Sequence, residues 1–377
     1  MPAGADILEV LPALRTMLAG TGPLLVPVAP TDPADPYEAT ATPYLRDIPG
    51  VAVGTSGSTG TPKRAVLPTA ALHASIEATH ARLGGPAPWL LLLPGHHIAG
   101  LQVILRSLAA GEEPILAPAG LTTEAAITTL AGALARTPRW YTAVVPAQLP
   151  PLLEDPVAAA TLRRCAAVLC GGAAVNADLR RRAEAAEIRL IATYGMSETA
   201  GGCVYDGTPL DGVTAEVTDG RIRLGGPTLA AGYLDDPARS AAVFTREPGG
   251  AAWFTTDDLG ALDVYGRLSV HGRRDDVIIT GGYKVHPAVV EAALAAILPT
   301  GTQVAVAGVP DPRWGHLVAA AVVLPQVHPE DLRQRLAQTL PRYAVPRRIA
   351  VVAALPLIGP GKVDRIALSA LLAAADP

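Results

Sequence analysis

Short apolar runs alternate with longer amphipathic stretches through the first half of the chain. The apolar runs lie at 89–93, 141–145, 166–170 and 189–193. Alanine, leucine and charged residues recur at helical spacing at 70–83, 123–136 and 176–186. Strands that are apolar throughout and are separated by helices are typical of a parallel sheet with helices on both faces. The pattern therefore predicts an α/β fold with mainly parallel sheets.

The pattern changes after Gly212. Polar and apolar residues alternate at 221–224 and 267–271, which predicts antiparallel strands and a small β subdomain. The charged stretch 272–276 has little apolar content, and a new α+β pattern begins after it. Its predicted elements are helices at 287–298 and 329–340 and strands at 302–309, 317–324 and 348–352. We therefore expect a larger domain over 1–273 and a smaller one over 277–377.

Composition narrows the class of protein. Half of the 377 residues are hydrophobic and 17% are charged, which indicates a globular chain rather than a disordered one. The formal net charge is -4, without a dense basic run, so we expect no nucleic-acid partner. Three irregularly spaced cysteines indicate reduced thiols, and prolines interrupt the apolar runs well short of the roughly 20 residues of a membrane span. A cytoplasmic protein without a membrane span is expected.

A loop rich in glycine and hydroxyl side chains lies between an apolar run and a predicted helix. Its candidate ligand-binding residues are Thr55, Ser56, Gly57, Ser58, Thr59, Gly60 and Lys63. Glycines permit close backbone approach, so successive N–H groups and hydroxyls can converge on phosphate oxygens. The spacing is not that of a Walker A loop, because Lys63 follows Thr61 and Pro62. The loop predicts a polyphosphate site, with a flexible linker as the alternative.

Three further motifs are weak individually. Tyr194, Ser197 and Glu198 follow the apolar run at 189–193, where a ring can stack on a base, a hydroxyl can reach phosphate and a carboxylate can hold Mg²⁺. Asp258 belongs to an acidic pair that suits ribose hydroxyls. Lys362 is a lone lysine in a loop of proline and glycine. An ordinary turn, an acidic turn after an edge strand and a surface lysine are the respective alternatives.

Together these motifs resemble the adenylate-forming superfamily of acyl-CoA synthetases, peptide-synthetase adenylation domains and luciferases, from about Gly54 to Leu372. The resemblance implies that the loop from Thr55 to Lys63 binds the β and γ phosphates of ATP. It assigns Ser197 to the α-phosphate, Glu198 to magnesium, Asp258 to ribose and Lys362 to catalysis. The remaining nucleotide-site positions that it implies are Gly171, Gly172, Ala173, Tyr194, Gly195, Met196 and Arg273.

The resemblance also implies a two-step reaction. A carboxylate attacks the α-phosphate of ATP with Mg²⁺, pyrophosphate leaves, and the thiol of CoA then takes the acyl group from the adenylate. Rotation of the last domain about Asp275, in a hinge at 274–276, would withdraw Lys362 and bring Gly281, Gly282 and Tyr283 to the CoA path. Asp257 stands where the family usually has glycine, and it adds a charge beside the nucleotide.

The segment 194–212 resembles the o-succinylbenzoate–CoA ligases of actinobacterial menaquinone biosynthesis. Gly201 and Gly202 would leave space for an aromatic ring, and His97 would line its far wall, with a structural histidine as the alternative. The sequence assigns no residue to the second carboxylate of that substrate.

Other functions stay open. Another aryl- or acyl-CoA ligase, or a free-standing adenylation enzyme that loads a carrier protein, shares the same motifs. A kinase-like phosphotransferase would form ADP, and a catalytically dead nucleotide-binding module would not need Lys362. A homodimer is the default oligomer.

Overall fold

The computed structural model describes residues 7–28, 44–55, 63–118, 120–299, 301–358 and 362–375, with backbone only at 358 and 362. The helices are α1 (Ile7–Leu18), α2 (Thr69–Leu83), α3 (Ile98–Ala109), α4 (Thr123–Arg136), α5 (Leu149–Glu154), α6 (Pro156–Arg163), α7 (Ala177–Ala185), α8 (Pro237–Val243), α9 (Pro287–Ile297), α10 (Pro329–Leu336) and α11 (Arg365–Ala374).

The strands are mostly short. They are β1 (Leu24–Leu25), β2 (Gly50–Thr55), β3 (Lys63–Pro68), β4 (Trp89–Leu91), β5 (Ile115–Leu116), β6 (Tyr141–Val144), β7 (Ala167–Cys170), β8 (Leu190–Met196), β9 (Gly201–Tyr205), β10 (Thr208–Pro209), β11 (Thr214–Thr218), β12 (Arg221–Gly225), β13 (Gly232–Tyr233), β14 (Phe244–Arg246), β15 (Ala252–Leu262), β16 (Leu268–Arg273), β17 (Ile278–Thr280), β18 (Tyr283–Val285), β19 (Gln303–Asp311), β20 (Gly315–Val323), β21 (Arg348–Val351), β22 (Leu357–Ile358) and β23 (Lys362–Val363).

The described chain divides into two compact units. The first comprises 1–216, 223–256 and 263–268, and the second comprises 217–222, 257–262 and 269–377. Strands β11, β12, β15 and β16 therefore each contribute residues to both units. The domain boundaries at 273 and 277 and the hinge at 274–276 stay predictions.

The first unit is built on a seven-stranded sheet in the order β10-β9-β8-β7-β6-β4-β5. Strands β4 to β8 pair in parallel, while β9 pairs antiparallel with β8 and β10 pairs antiparallel with β9. Along β4, Trp89 and Leu91 belong to one apolar core and Leu90 belongs to another, because alternate residues point to opposite faces. The predicted α/β class with a mainly parallel sheet is confirmed.

Several element boundaries match the sequence predictions closely. Helix α4 has the predicted limits, α2 begins one residue before its prediction, and the four apolar runs are β4, β6, β7 and β8. Two details were wrong. A strand, β3, lies between the loop and the predicted helix, because β2 and β3 form an antiparallel hairpin with Thr55 opposite Lys63; the sequence had predicted that a helix follows the loop directly. Tyr194, Gly195 and Met196 lie within β8 rather than after it, because β9 pairs with this end of the strand.

The second unit contains a five-stranded sheet in which β21 pairs with β20 beside the order β18-β17-β20-β19. Val306 and Val318 face a core that includes residues of α9 and α10, whereas Ala305 and Ala319 face a core that includes residues of α11. The predicted α+β pattern is present, with α10 ending at Leu336 instead of residue 340. Among the described helices, none is both long and apolar enough to cross a bilayer.

Candidate active site

The open end of the β2–β3 hairpin holds the described part of the predicted phosphate loop. Thr55 and Lys63 are paired across this end, and Ser56, Gly57, Ser58, Thr59 and Gly60 lie outside the described residues. The Thr55 hydroxyl oxygen is buried and has no hydrogen-bond partner in the described part of the chain. A buried hydroxyl without a partner is costly, so this position suits a polar ligand such as phosphate or a metal-bound oxygen.

Lys63, Tyr233 and Glu198 form a closed set of contacts, hereafter the Glu198 cluster. The Tyr233 hydroxyl donates to Glu198 Oε1 at 2.7 Å, and Lys63 Nζ lies 3.2 Å from the same oxygen. Lys63 Nζ also donates to the Tyr233 hydroxyl at 2.8 Å. Glu198 is 4% exposed, so its charge depends on these neighbours for stabilisation.

Strand register explains why Lys63 and Tyr233 meet. In the antiparallel pairing of β13 with β3, Tyr233 lies opposite Ala65. Lys63 is two residues from Ala65 and therefore on the same face, where diagonal neighbours are within reach of long side chains. The backbone N–H of Tyr233 also donates to Ser240 Oγ at 2.8 Å, which fixes the strand.

The turn that carries Ser197 and Glu198 is held on several sides. Ser197 Oγ donates to the Gly54 carbonyl at 3.1 Å, and the Glu198 carbonyl accepts from the Ala230 N–H at 2.9 Å. Ala200 ends the turn with φ 53°, and its carbonyl accepts hydrogen bonds from Ser75 and Gln102. Helices α2 and α3 thus fix the turn from behind, so that Glu198 is positioned without a ligand.

The residues predicted for the adenine side lie at the carboxyl end of the parallel sheet. Gly171, Gly172 and Ala173 follow β7, next to β8 with its Tyr194, Gly195 and Met196. A Cβ at Gly171 would lie 2.4 Å from Thr193 Oγ1, and Gly172 has φ +81°. Gly171 therefore has no room for a side chain, and the left-handed backbone at Gly172 favours glycine. This sheet edge is where open α/β sheets bind ligands.

The predicted acyl side lies between α3 and β9. His97 immediately precedes α3, and burial lowers the pKa of its imidazole, which keeps the ring neutral at pH 7. A Cβ at Gly201 would lie 3.5 Å from Gln102 Cγ, and one at Gly202 would lie 3.0 Å from Thr193 Cβ. Gly202 thus permits close packing of β9 against Thr193, whereas at Gly201 the left-handed backbone, with φ +91°, favours glycine; the space for an aromatic ring stays a prediction.

Sequence reasoning missed Arg106, which lies one helical turn beyond Gln102 on α3. Arg106 is 3% exposed, and in the described part of the chain it has no carboxylate partner and its Nε has no hydrogen-bond acceptor. Burial lowers the pKa of its guanidinium, and the interaction with the nearby Tyr205 phenol opposes this shift. The signal in the sequence was an arginine inside the apolar run 101–108, where a charge is rarely buried without a partner.

In the second unit, five charged side chains surround the predicted ribose and pivot positions. Arg273 lies 3.6 Å from Asp258 and donates to Asp275 at 2.8 and 2.6 Å. Burial alone would lower the pKa of Arg273, but Asp275, Asp258 and Asp276 raise it overall. Asp257 lies 3.3 Å from Arg221 and 3.1 Å from Arg274. Two arginines therefore offset the additional charge of Asp257.

The remaining predicted residues of the second unit lie on two turns. Gly281 and Gly282 connect β17 to β18, and the Tyr283 ring stacks on Tyr343 with centroids 4.4 Å apart. Gly281 has φ +55°, and a Cβ there would lie 2.7 Å from the Trp314 ring. Lys362 begins β23, opposite residue 358 of β22.

The described part of the chain offers few metal ligands of its own. Among the described residues, no group of three or more His, Cys, Asp or Glu side chains could hold a metal ion. Magnesium is commonly held by one or two carboxylates together with substrate phosphates, so Glu198 fits a site that a nucleotide completes. The three cysteines are free and buried, and burial raises the pKa of Cys170 and Cys203 to about 12, so their thiols stay protonated.

Two solved structures share this fold. An ATP-bound chimera of RpMatB and BxBclM is 27% identical, with a TM-score of 0.77 over 87% of this chain and 69% of the other. The o-succinylbenzoate CoA synthetase MenE from Bacillus subtilis, in complex with the acyl-adenylate intermediate OSB-AMP, is 26% identical, with a TM-score of 0.73 over 84% of this chain and 68% of the other. Residues 51–234 match the AMP-binding enzyme family, and 283–362 match the AMP-binding enzyme C-terminal domain.

The chain belongs to the AMP-binding enzyme family, which confirms the predicted resemblance. Among its relatives, a probable 2-succinylbenzoate–CoA ligase from Mycobacterium tuberculosis (strain H37Rv) is 46% identical, over 98% of this chain and 96% of the relative. A 2-succinylbenzoate–CoA ligase from Listeria monocytogenes (strain EGD-e) is 31% identical, over 82% of this chain and 68% of the relative.

Proposed function

We propose that this protein is an AMP-forming acid–thiol ligase that uses ATP and Mg²⁺ to adenylate 2-succinylbenzoate, also called o-succinylbenzoate, and transfers the acyl group to CoA. The nearly full-length match at 46% identity to the mycobacterial ligase carries the choice of substrate. The product, 2-succinylbenzoyl-CoA, serves menaquinone biosynthesis. A cytoplasmic location and a homodimer are part of the proposal, and the mass in solution tests the dimer.

In the first step, a carboxylate oxygen of the acid attacks the α-phosphorus, and the bond to pyrophosphate breaks. Lys63 and the Thr55 hydroxyl bind the polyphosphate, Ser197 donates to the α-phosphate, and Glu198 holds the metal. When bound, Mg²⁺ neutralises the charge that collects on the phosphate oxygens. Asp258 accepts the ribose hydroxyls, with Arg273 fixing its carboxylate, and Lys362 adds positive charge in the transition state.

Arg106 is our candidate for the second carboxylate of the substrate. The α3 side chains at positions 98 and 102 face Gly201, and Arg106 is one turn further on, close to Tyr205 of β9. A buried guanidinium without an acidic partner strongly favours an anion. A dicarboxylic acid meets this need, whereas benzoate has no second carboxylate to offer.

In the second step, the CoA sulfur attacks the acyl carbon and AMP leaves with its phosphate oxygen. We place the hinge at 274–276, the larger domain at 1–273 and the smaller at 277–377. Rotation about Asp275 then replaces Lys362 at the site with the turn Gly281–Gly282–Tyr283.

Trp314 is flanked by Arg313 and Arg347, whose guanidinium carbons lie 4.9 and 4.7 Å from its ring centroid. Aromatic and basic side chains beside this turn suit the nucleotide part of CoA.

A second candidate function is the loading of a carrier protein. A probable non-canonical nonribosomal peptide synthetase from Salinispora arenicola is 31% identical over 90% of this chain, although the match covers only 5% of that protein. In this function, a protein-bound pantetheine thiol would replace the thiol of CoA.

Product analysis by mass spectrometry tests both candidates. The protein is incubated with ATP and Mg²⁺ and with 2-succinylbenzoate, benzoate or a medium-chain fatty acid, each with CoA and with a carrier protein. AMP and 2-succinylbenzoyl-CoA formed far faster from the first acid than products from the other two acids support the proposal. AMP formed as fast or faster with another acid would support AMP-forming ligation and reject this substrate, and ADP would reject the reaction itself.

A further inference from the structure

The Glu198 cluster places a protein cation where the proposed metal has to bind. Lys63 Nζ lies 3.2 Å from Glu198 Oε1, and the Glu198 side chain is only 6% exposed. The Lys63 side chain is 27% exposed, and a close pair of which one member is buried interacts more strongly than a pair of surface charges. Lys63 therefore neutralises the carboxylate when no ligand is bound.

A divalent cation cannot simply join this arrangement. Mg²⁺ on the Glu198 carboxylate would stand within a few ångström of the Lys63 ammonium, and like charges at that distance repel. A polyphosphate removes the conflict, since its oxygens attract both Lys63 and the metal. Lys63 lies directly at the end of the predicted phosphate loop, opposite Thr55, so its ammonium has a short path to such a ligand.

We propose that Lys63 is a placeholder cation: it occupies the metal-binding carboxylate until the triphosphate of ATP draws its ammonium away, so that divalent metal enters only together with nucleotide. The inference rests on the proposed function for the role of Glu198. Its consequence is ordered binding, in which free Mg²⁺ alone has no place at Glu198.

Tyr233 is the positioning residue in this exchange. Its hydroxyl donates to Glu198 at 2.7 Å, and its ring packs edge-on against Phe244 with centroids 5.5 Å apart. Its backbone belongs to β13 and is bonded to Ser240, so these restraints do not depend on nucleotide. When Lys63 leaves, the neutral phenol keeps Glu198 in place for the metal.

Direct metal binding tests the placeholder, with Mn²⁺ as a spectroscopic probe in electron paramagnetic resonance titrations of the full-length protein. For wild type we expect no Glu198-dependent binding of Mn²⁺ alone, and clear binding once ATP is added. Lys63→Gln should bind Mn²⁺ without nucleotide at least about tenfold more tightly than wild type, because the competing charge is gone. Lys63→Arg, which keeps the charge, should behave like wild type.

The double variant Lys63→Gln/Glu198→Gln should lose the gained site. Glu198-dependent binding of Mn²⁺ to nucleotide-free wild type would overturn the proposal, as would a Lys63→Gln protein that binds no better or a gained site that survives in the double variant. None of these titrations contains an acid or CoA. The titrations can therefore contradict the placeholder role of Lys63 while product analysis still supports the ligase. Equally, the titrations can support the placeholder role while product analysis rejects the ligase.

A second pair of variants tests Tyr233. Tyr233→Phe should raise the Mn²⁺ concentration needed to bind in the presence of ATP by about tenfold. The matched control is Tyr141→Phe, which removes another buried phenol whose hydroxyl donates to the Leu83 and Gly85 carbonyls. Equal metal affinity in the two variants, at similar thermal midpoints, would show that Tyr233 has only a structural role.

Discussion

The buried charges at Glu198 and Arg106 in the first unit and the charged group around Asp257 and Asp275 in the second are organised in opposite ways. In the first unit, Glu198 and Arg106 are almost fully buried, and Glu198 has Lys63 and Tyr233 as its close partners. In the second unit, the Asp257 and Asp275 side chains are 43% and 37% exposed and belong to a group with several arginines. The charged groups of the first set are buried and few, whereas those of the second set are partly exposed and numerous.

The difference indicates what each arrangement can do. Removing one member of a buried pair leaves an uncompensated charge, so buried groups fix geometry and select ligands. Exposed pairs each contribute roughly 0–1 kcal/mol and are screened by salt, so they can exchange partners at low cost. We expect strong, specific effects from the buried charges and weak, salt-dependent effects from the exposed ones.

The largest expected effect is an exception to this comparison. Lys362 belongs to the second unit, yet its removal should cost more activity than any other change considered. Lys362→Ala should lower the rate of adenylation by about two to three orders of magnitude, the scale for removing one transition-state donor. Thioester formation from supplied acyl-adenylate should survive. The two half-reactions are measured separately by pyrophosphate release and by acyl-CoA formation. Equal loss of both half-reactions would refute the proposal that rotation about Asp275 removes Lys362 from the site before the second step.

The next effect sharpens the contrast between buried and exposed charge. Arg106→Gln should raise KM for 2-succinylbenzoate by roughly ten- to a hundredfold, because a hydrogen-bonded charge pair is lost. The rate with benzoate as a poor substrate should not fall, since benzoate lacks the second carboxylate. Steady-state kinetics with both acids measure the difference. Parallel losses with both acids would assign Arg106 to folding alone.

A smaller effect is expected from the exposed cluster. Asp257→Asn should change either half-reaction by no more than about fivefold, and the change should shrink with added salt. Glu154→Gln is the matched control, because it removes an exposed carboxylate 3.1 Å from Arg182. Rates at low and high ionic strength provide the measurement. A hundredfold loss of rate that does not depend on salt would show that exposed charges in this cluster contribute as strongly as buried ones.

The smallest effect concerns stability rather than catalysis. Burial, and then the charge of Arg106, lowers the pKa of His80 from 6.5 to about 4. Between these values the unfolded chain binds a proton that the folded chain does not, so this contribution to stability is complete above pH 6.5 and is lost as the pH falls to about 4. Thermal midpoints from pH 7 to pH 4 should therefore fall less steeply for His80→Gln than for wild type. His271→Gln, at an exposed position, should retain the wild-type slope, and identical slopes for all three proteins would contradict the assignment.

Much of the first unit could be predicted because its signals are local. The limits of α4 and the strands β4, β6 and β7 follow from apolar periodicity, and parallel strands need continuous apolar runs. The hairpin of β2 and β3 was missed because the segment after the loop is also compatible with the start of a helix. Tyr194 was placed outside its strand because β9, the partner that extends β8, lies beyond a turn.

The residues of the candidate site also differ in whether a local sequence signal identifies them. Glu198, Lys63 and Asp258 are recognisable from motif spacing, but Tyr233 and Arg106 carry no local signal of their contacts. Tyr233 reaches Glu198 only because the register of β13 on β3 places it diagonally across from Lys63. The sequence also left Asp257 without a neutralising partner, whereas Arg221 and Arg274 approach it from 36 and 17 residues away along the chain.

The sequence by itself determined the family and the α/β architecture and predicted which groups would bind ATP, because these depend on residue types at short spacing. Only the tertiary structure decided which charges share a partner and which are buried without one. Such relations depend on strand register and on helices that bring distant residues within a few ångström. No pattern along the chain records those distances.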